Sequence, residues 1–177
     1  MADGTATPDP GFPLALPAVT GDVFELTEAM LRDGCEAARR SPRKRIIFPL
    51  HRRQEALVQR MLNFLQPGTW MMPHRHPLPD AIETMQVMRG ALGFLIFDAE
   101  GRLLSKHRLA ADSGLALMDI EPGVWHAGVA LAPDTVILEI KRGPYDSKTD
   151  KEFATWAPPE GDPSADTMRR EWEELFA

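Results

Sequence analysis

The feature that most constrains this chain is a change of period after Gly68. From there the sequence becomes a series of short runs rich in β-branched, aromatic and Met residues: TWMM, IETMQVM, ALGFLIFD, RLLSKHRL, LALMDI, VWHAGVA and TVILEIK. Turn signals separate most of them, at Arg89-Gly90, Asp98 to Gly101, Asp112 to Gly114, Pro122-Gly123 and Pro133-Asp134. Strands this short, at such regular spacing, predict an antiparallel sandwich or barrel. The fold class expected is all-β with helical additions, its barrel core spanning about 68–142.

The flanks read differently. Residues 1–21 hold four prolines and three glycines among small residues, which predicts an irregular N-terminal arm. Thr27 followed by Glu28 makes a helix start, with Met30, Leu31, Cys35 and Ala38 at helical spacing. That helix should end near Arg39 to Ser41, since Pro42 disfavours helical geometry in the residue before it. Leu57, Val58, Met61, Leu62 and Leu65 are spaced for one face of a second helix, which Pro67-Gly68 stops. At the other end, DTMRREWEELF puts Met168, Trp172, Leu175 and Phe176 on one face of a terminal helix docked on the barrel. The arm followed by a single domain over 22–177 is the economical organisation for 177 residues.

Charge and cysteine content narrow the function classes. Twenty basic against 26 acidic residues leave a net charge of −6, which argues against nucleic acid or an anionic membrane as partner. No apolar run approaches the roughly 20 residues that span a bilayer. The opening MADGTATPDPGFPLALP lacks a basic n-region and a long apolar stretch, so no signal peptide is expected. The single cysteine, Cys35, fits a reducing cytoplasm. Arg43, Lys44, Arg45, Arg52 and Arg53 surround IIFPL, either as a solvated basic edge or with one or two arginines reaching an anionic ligand.

Three of the five histidines fall in two short β segments. His74 and His76 are one residue apart, so in a strand both side chains leave the same face. Glu83 opens the next strand after PLPDAI, and His126 follows the turn at Pro122-Gly123. A lone histidine on a strand is more often structural, but three imidazoles and a carboxylate in two spaced groups form a ligand set. Such a set suits one divalent transition metal (Fe, Mn, Ni, Co or Zn), because calcium and magnesium prefer oxygen-only sites. Four protein ligands leave one or two positions open on an octahedral ion. Gln86 points to the opposite face if the strand begins at Glu83, and His51 and His107 read as structural or surface residues.

These residues resemble the cupin motifs. Gly68-TWMMP-His74-Arg-His76-PLPDAI-Glu83-TMQVMR-Gly90 is similar to the first motif, with a longer spacer before the glutamate than its commonest form. Gly114-LALMDIE-Pro122-Gly123-VW-His126 resembles the second, with Ala130 where an asparagine is often found. The resemblance implies a double-stranded β-helix, a jelly-roll barrel with N-terminal helices and a C-terminal helix, and a metal at its open end. A narrower resemblance runs from Arg45 onward. QRMLNFLQPGTWMMPHRHP, FDAEGRL and ILEIKRGPYDSKTDKEFATWAPPE are similar to WbuC-type cupin-fold metalloproteins. Members of that family often sit among genes for bacterial surface polysaccharide, which implies a sugar-derived substrate.

Strand alternation places Met85 and Val87 with Glu83, Met72 with the histidine pair, and Gly128 in phase with His126. These methionines either fill the core or give the pocket an adaptable wall. Arg75, between two ligands, should point away from the metal, while Gln59 and Arg60 end a turn of the expected helix before the first ligand strand. Arg60, Met72 and Met85 are the candidate substrate-binding residues. Glu139 and Lys141 share one face of the last strand, opposite Val136, Leu138 and Ile140. They form either an exposed salt bridge of little value or an acid–base pair facing the cavity. The resemblance, which includes EIK and GPY, favours the cavity and adds Tyr145 as a candidate catalytic residue capping the opening.

Two functional classes follow. One is a metal-dependent enzyme acting on a small sugar-derived or carbonyl substrate, as an isomerase or epimerase or as an Fe(II) oxygenase. The other is a non-catalytic metal-containing module that binds or senses a small molecule. A structural metal stapling the barrel is a third. Cupins commonly pair through barrel strands, so the resemblance also implies a homodimer.

Overall fold

The computed structural model describes residues 11–177. Most of the expected N-terminal arm, residues 1–10, lies outside the described residues. The rest of the arm docks along the first strand β1 (Arg45–Pro49), with Leu16 donating to the Ile47 carbonyl at 2.7 Å and Val19 buried.

Helix α1 (Glu28–Arg40) starts where the sequence predicts. The Thr27 hydroxyl accepts a hydrogen bond from the Met30 amide at 3.3 Å, and Ser41 forms the C-terminal cap. The buried face carries Gly34, Cys35, Ala37 and Ala38, while Met30 stays outside the core. The next element corrects the sequence reading. Residues expected as a second helix form strand β2 (Val58–Leu65), so there is one N-terminal helix. β2 lies between β1 and β9 and is covered on both faces. Leu62 and Phe64 pack under α1 while Met61 and Leu65 face inward. Apolar residues on both faces of a strand imitate helical spacing. Leu57 and Val58, which a helix would have buried, are 75% and 52% exposed.

The remaining strands are β3 (His74–Arg75), β4 (Glu83–Arg89), β5 (Ala91–Phe97), β6 (Leu103–Ala110), β7 (Leu117–Ile120), β8 (Trp125–Ala130), β9 (Thr135–Arg142) and β10 (Glu152–Phe153). TWMM is not a strand, because only His74 and Arg75 pair after Pro73. All strand pairs are antiparallel, in two five-stranded sheets ordered β1-β2-β9-β4-β7 and β10-β3-β8-β5-β6. The sheets therefore extend beyond the 68–142 core on both sides, through β1, β2 and β10.

Three apolar layers hold these elements. Leu65, Val87, Ile120 and Ile137 of one sheet meet Leu92, Phe94, Leu109 and Ala130 of the other, forming the inner core. Outside the first sheet, α1 covers Ile46, Leu62, Phe64 and Val136. Outside the second, α2 (Pro163–Glu174) packs on Trp70, Leu95, Phe97 and Trp125. Trp172 of α2 stacks on Trp70 with ring centroids 5.1 Å apart, and Met168, Leu175 and Phe176 join it as the sequence predicts. Strands β5 and β8 are covered on both faces, so they read as nearly continuous apolar runs.

Two arginines of the basic edge are satisfied within the chain. Arg43 binds both carboxylate oxygens of Glu160 at 2.8 and 2.9 Å, and Arg45 reaches the same carboxylate at 2.9 Å. Burial lowers the Arg45 guanidinium to about 10, which leaves it cationic at neutral pH. Among the described residues, no helix is long and apolar enough to cross a membrane.

Candidate metal centre

The four expected ligands come together at one end of the sandwich. His74 lies on β3, His76 just beyond it, His126 on β8 and Glu83 at the start of β4, so the cluster joins both sheets. His74 and His126 are register partners with ring centroids 4.5 Å apart. His76 Nε2 and His126 Nε2 lie 3.4 and 3.1 Å from Glu83 Oε2. One ligand atom from each residue falls within 4.8 Å of all the others. Ligands about 2.1 Å from one ion sit about 3 to 4 Å apart, so the set closes around a single metal with little adjustment.

Local structure aims each ring. His74 Nδ1 donates to the Met72 carbonyl at 2.9 Å, His126 Nδ1 to the Val124 carbonyl at 2.9 Å, and His76 Nδ1 to the Asp150 carbonyl at 2.6 Å. A carbonyl only accepts, so each Nδ1 carries the proton and each Nε2 presents a lone pair to the centre. The Gly123 amide donates to the His76 carbonyl at 2.9 Å, tying the turn before His126 to the other histidine segment. Gly123 takes a left-handed φ of 82° there, which glycine adopts without strain.

The three Nε2 atoms and Glu83 Oε2 are buried and have no hydrogen-bond partner. Four such atoms would cost about 1 to 3 kcal/mol each if left unsatisfied, and their convergence is what a divalent cation relieves. Burial, followed by the charge of Lys151, pushes the His74 pKa well below the usual imidazole range, keeping its lone pair free. Burial alone would raise the Glu83 carboxyl, but the His126 and His76 imidazoles, 3.1 and 3.4 Å away, outweigh it and hold the group well below the carboxylate range. The residues fit one divalent metal.

Around the cluster the inner face of the first sheet is arranged in rows. Glu83 is opposite Lys141, which is opposite Gln59, and Met85 is opposite Glu139, which is opposite Met61. Glu139 and Lys141 are 8% and 7% exposed, so the pair faces inward. Asn63 Nδ2 donates to Glu139 Oε2 at 2.8 Å, and Lys141 Nζ lies 3.8 Å from Glu139 Oε1. Burial and the adjacent Glu83 charge raise the Glu139 carboxyl. Lys141 also donates to both oxygens of Asp150 at 2.7 and 2.8 Å. Burial works against the Lys141 charge, but the Glu139 and Asp150 carboxylates outweigh it and raise its pKa. A small cleft opens beside His76, lined by Leu78, Ala81, Lys141, Arg142 and Asp150. Tyr145 is half exposed at this end, its ring centroid 5.6 Å from Lys141 Nζ.

Two expected pocket residues lie elsewhere. Arg60 is exposed on the outer face of β2, because it pairs with Ile140 and alternates with inward Gln59 and Met61. Met72 packs on the outer cluster with Trp70 and Trp125, whereas Met71 joins the inner core. Strand alternation does not pass through Pro73, so the phase carried back from His74 is wrong by one residue. Met71 also fills the space beside Gly128, where an added Cβ would meet its Cε at 2.9 Å. Met85 stays half-buried against the inner core, and Arg75 points outward to Glu152 and over Trp125. His51 is buried with its Nδ1 2.8 Å from the Arg60 carbonyl, and His107 reaches Ser105 at 3.1 Å. Sequence reasoning did not single out Asn63, Asp150 and Lys151, which lie within the stretches of the narrower resemblance but owe their position to strand pairing.

The family profile of a domain of unknown function (DUF6016) matches residues 26–109. No curated protein matches the chain in sequence. Among solved structures, CapF in complex with the inhibitor 3-isopropenyl-tropolone superposes with a TM-score of 0.52 at 18% identity, over 60% of this chain and 30% of CapF. Oxalate decarboxylase from Bacillus subtilis at pH 4.6 gives 0.47 at 16% identity, over 62% of this chain and 27% of the enzyme. KdgF from Halomonas sp. gives 0.45 at 18% identity, over 59% of this chain and 82% of KdgF. The chain thus spans under a third of the length of CapF and of the decarboxylase. Two facing antiparallel sheets and the likeness to CapF give this chain the cupin jelly-roll fold, with a His-His-Glu-His cluster suited to a divalent metal between its sheets.

Proposed function

We propose that this chain is a metal-dependent cupin enzyme that acts on a small sugar-derived or carbonyl substrate. The observation that carries this reading is the convergence of four buried, unpartnered ligand atoms next to the buried Glu139 and Lys141. His74, His76, Glu83 and His126 hold one divalent transition metal, drawn from Fe, Mn, Ni, Co and Zn. Bound by these four residues, such a metal would supply Lewis-acid polarisation of a substrate oxygen. Glu139 is placed to hold or release a proton beside the metal, Lys141 keeps it positioned, and Tyr145 closes the opening. Met85 supplies an apolar wall. Zinc or manganese at the site would favour an isomerisation or epimerisation, and iron an oxygen-dependent oxidation. The WbuC-type resemblance supports a role in bacterial surface polysaccharide metabolism, in a cytoplasmic homodimer.

One observation favours a second reading, a non-catalytic metal-containing binding or sensing module. The Lys141 ammonium is already committed to Asp150 at 2.7 Å, a pair that substrate chemistry would have to loosen. Elemental analysis of protein purified without an affinity tag tests the common premise. About one equivalent of a transition metal per chain is expected. Protein with all four ligands intact and no metal, even after incubation with each candidate ion, would sink both readings.

A further inference from the structure

Lys151 follows Asp150 and precedes β10. In the β10–β3 pair, Phe153 is opposite His74 and Glu152 is opposite Arg75. Arg75 and Glu152 form their ion pair on the outer side, over Trp125, while the Phe153 ring lies 6.0 Å from the His74 ring. Strand alternation therefore puts Lys151 on the same side as Phe153 and the metal ligands. The neighbouring Asp150 carbonyl, which accepts from His76, pins the backbone at this point. Lys151 is half-buried, and its ammonium has no hydrogen bond or ion pair among the described residues. Its charge nonetheless acts on His74, Glu83 and Glu139.

We infer that Lys151 is the anchor for the carboxylate of a small hydroxy- or oxo-acid whose other oxygen occupies an open position on the metal. The inference deepens the proposed metal function and rests on it. The charges of the site require an anion. Glu83 offsets one of the two charges of a divalent ion and Asp150 offsets Lys141. Arg142 and Asp146 carry opposite charges where they line the cleft. Even with Glu139 counted as ionised, Lys151 leaves the loaded centre positive. A half-buried ammonium without a partner gains most from a charge-assisted hydrogen bond, and a compact point charge serves one carboxylate oxygen.

The test uses full-length protein loaded with cobalt(II), whose visible bands report on metal ligation. Cobalt affinity is measured first, and then glycolate, its uncharged counterpart glycolamide, and inorganic phosphate are titrated. Glycolate is expected to bind about tenfold or more tightly than glycolamide. Lys151→Gln removes that preference while cobalt affinity and melting temperature hold, and Lys151→Arg keeps most of it. An unchanged glycolate preference in Lys151→Gln overturns the inference, as does a loss of cobalt binding in that variant, which would make Lys151 a structural group. Phosphate binding more tightly than glycolate with the same dependence on Lys151 overturns the carboxylate assignment. Failure of the unaltered protein to take up cobalt is a separate result and refutes the proposed metal function itself.

Discussion

His76 Nδ1 donates to the main-chain carbonyl of Asp150 over 2.6 Å, across 74 residues of sequence. The Asp150 carboxylate simultaneously holds Lys141. One residue therefore orients a metal ligand through its backbone and neutralises a buried ammonium through its side chain. This double attachment ties the end of the Tyr145 to Lys151 segment to the ligand cluster.

Asp150→Asn should consequently disturb both partners. Removing the Asp150 charge leaves buried Lys141 with only Glu139, 3.8 Å away, as a counter-charge, at a cost of about 3 kcal/mol. Metal affinity should fall about tenfold as the carbonyl that orients His76 loosens. Urea denaturation of the metal-free protein measures the first effect and competition with a chromogenic chelator the second. Unchanged affinity would show that the backbone holds His76 without help from the side chain.

Metal binding should stabilise the native state by mass action. At an excess of about a thousand times Kd, the gain is about 4 kcal/mol, or roughly 10 °C in melting temperature for a chain of this size. Chelation should reverse it. His126→Ala should abolish both uptake and the shift, whereas Glu139→Gln should retain stoichiometric metal, because Glu139 is outside the ligand cluster. Scanning calorimetry with and without metal checks all three proteins.

The Glu160 contacts predict an acid-dependent loss of stability. Burial raises the Glu160 carboxyl, but hydrogen bonds and charge from Arg43 and Arg45 outweigh it and lower the folded-state pKa. A lowered pKa means that the native state binds the proton less readily than the unfolded chain. The stabilisation is complete above the ordinary glutamate value of about 4.3 and disappears as pH falls through the folded pKa. Glu160→Gln should cost about 1 to 2 kcal/mol at pH 7 and nearly nothing at the acid end of that window. Denaturant curves at neutral pH and below pH 4 make the comparison.

Gly34 tests the packing of α1. A Cβ at this position would lie 2.3 Å from Phe64 Cζ, and Phe64 is completely buried. Gly34→Ala should destabilise by about 2 kcal/mol, since the ring has no space into which to move. Gly114→Ala is the control, because nothing lies within 4 Å of its added Cβ. Equal denaturation midpoints for the two variants would contradict the packing described for α1.

The metal ligands were legible because the chemistry is written at short range. His74 and His76 share a face through a two-residue period, and Pro122-Gly123 marks the turn that brings in His126. A cap and an apolar face likewise announced α1, and an apolar face announced α2. β2 was not legible as a strand, since α1 on one face and the inner core on the other bury residues of both parities. Met71 and Met72 exchanged roles because Pro73 interrupts the strand from which their phase was inferred.

By itself, then, the sequence determined a β-rich fold, two docked helices and a His-His-Glu-His ligand set. Period, turn chemistry and donor type are properties of neighbouring residues. Only the tertiary structure decided that Glu139 and Lys141 are buried, that Asp150 joins Lys141 to His76, and that Lys151 stands unpartnered beside the metal ligands. Those relations come from pairing β9 with β4 and β10 with β3, and from the burial that follows, which no local pattern encodes.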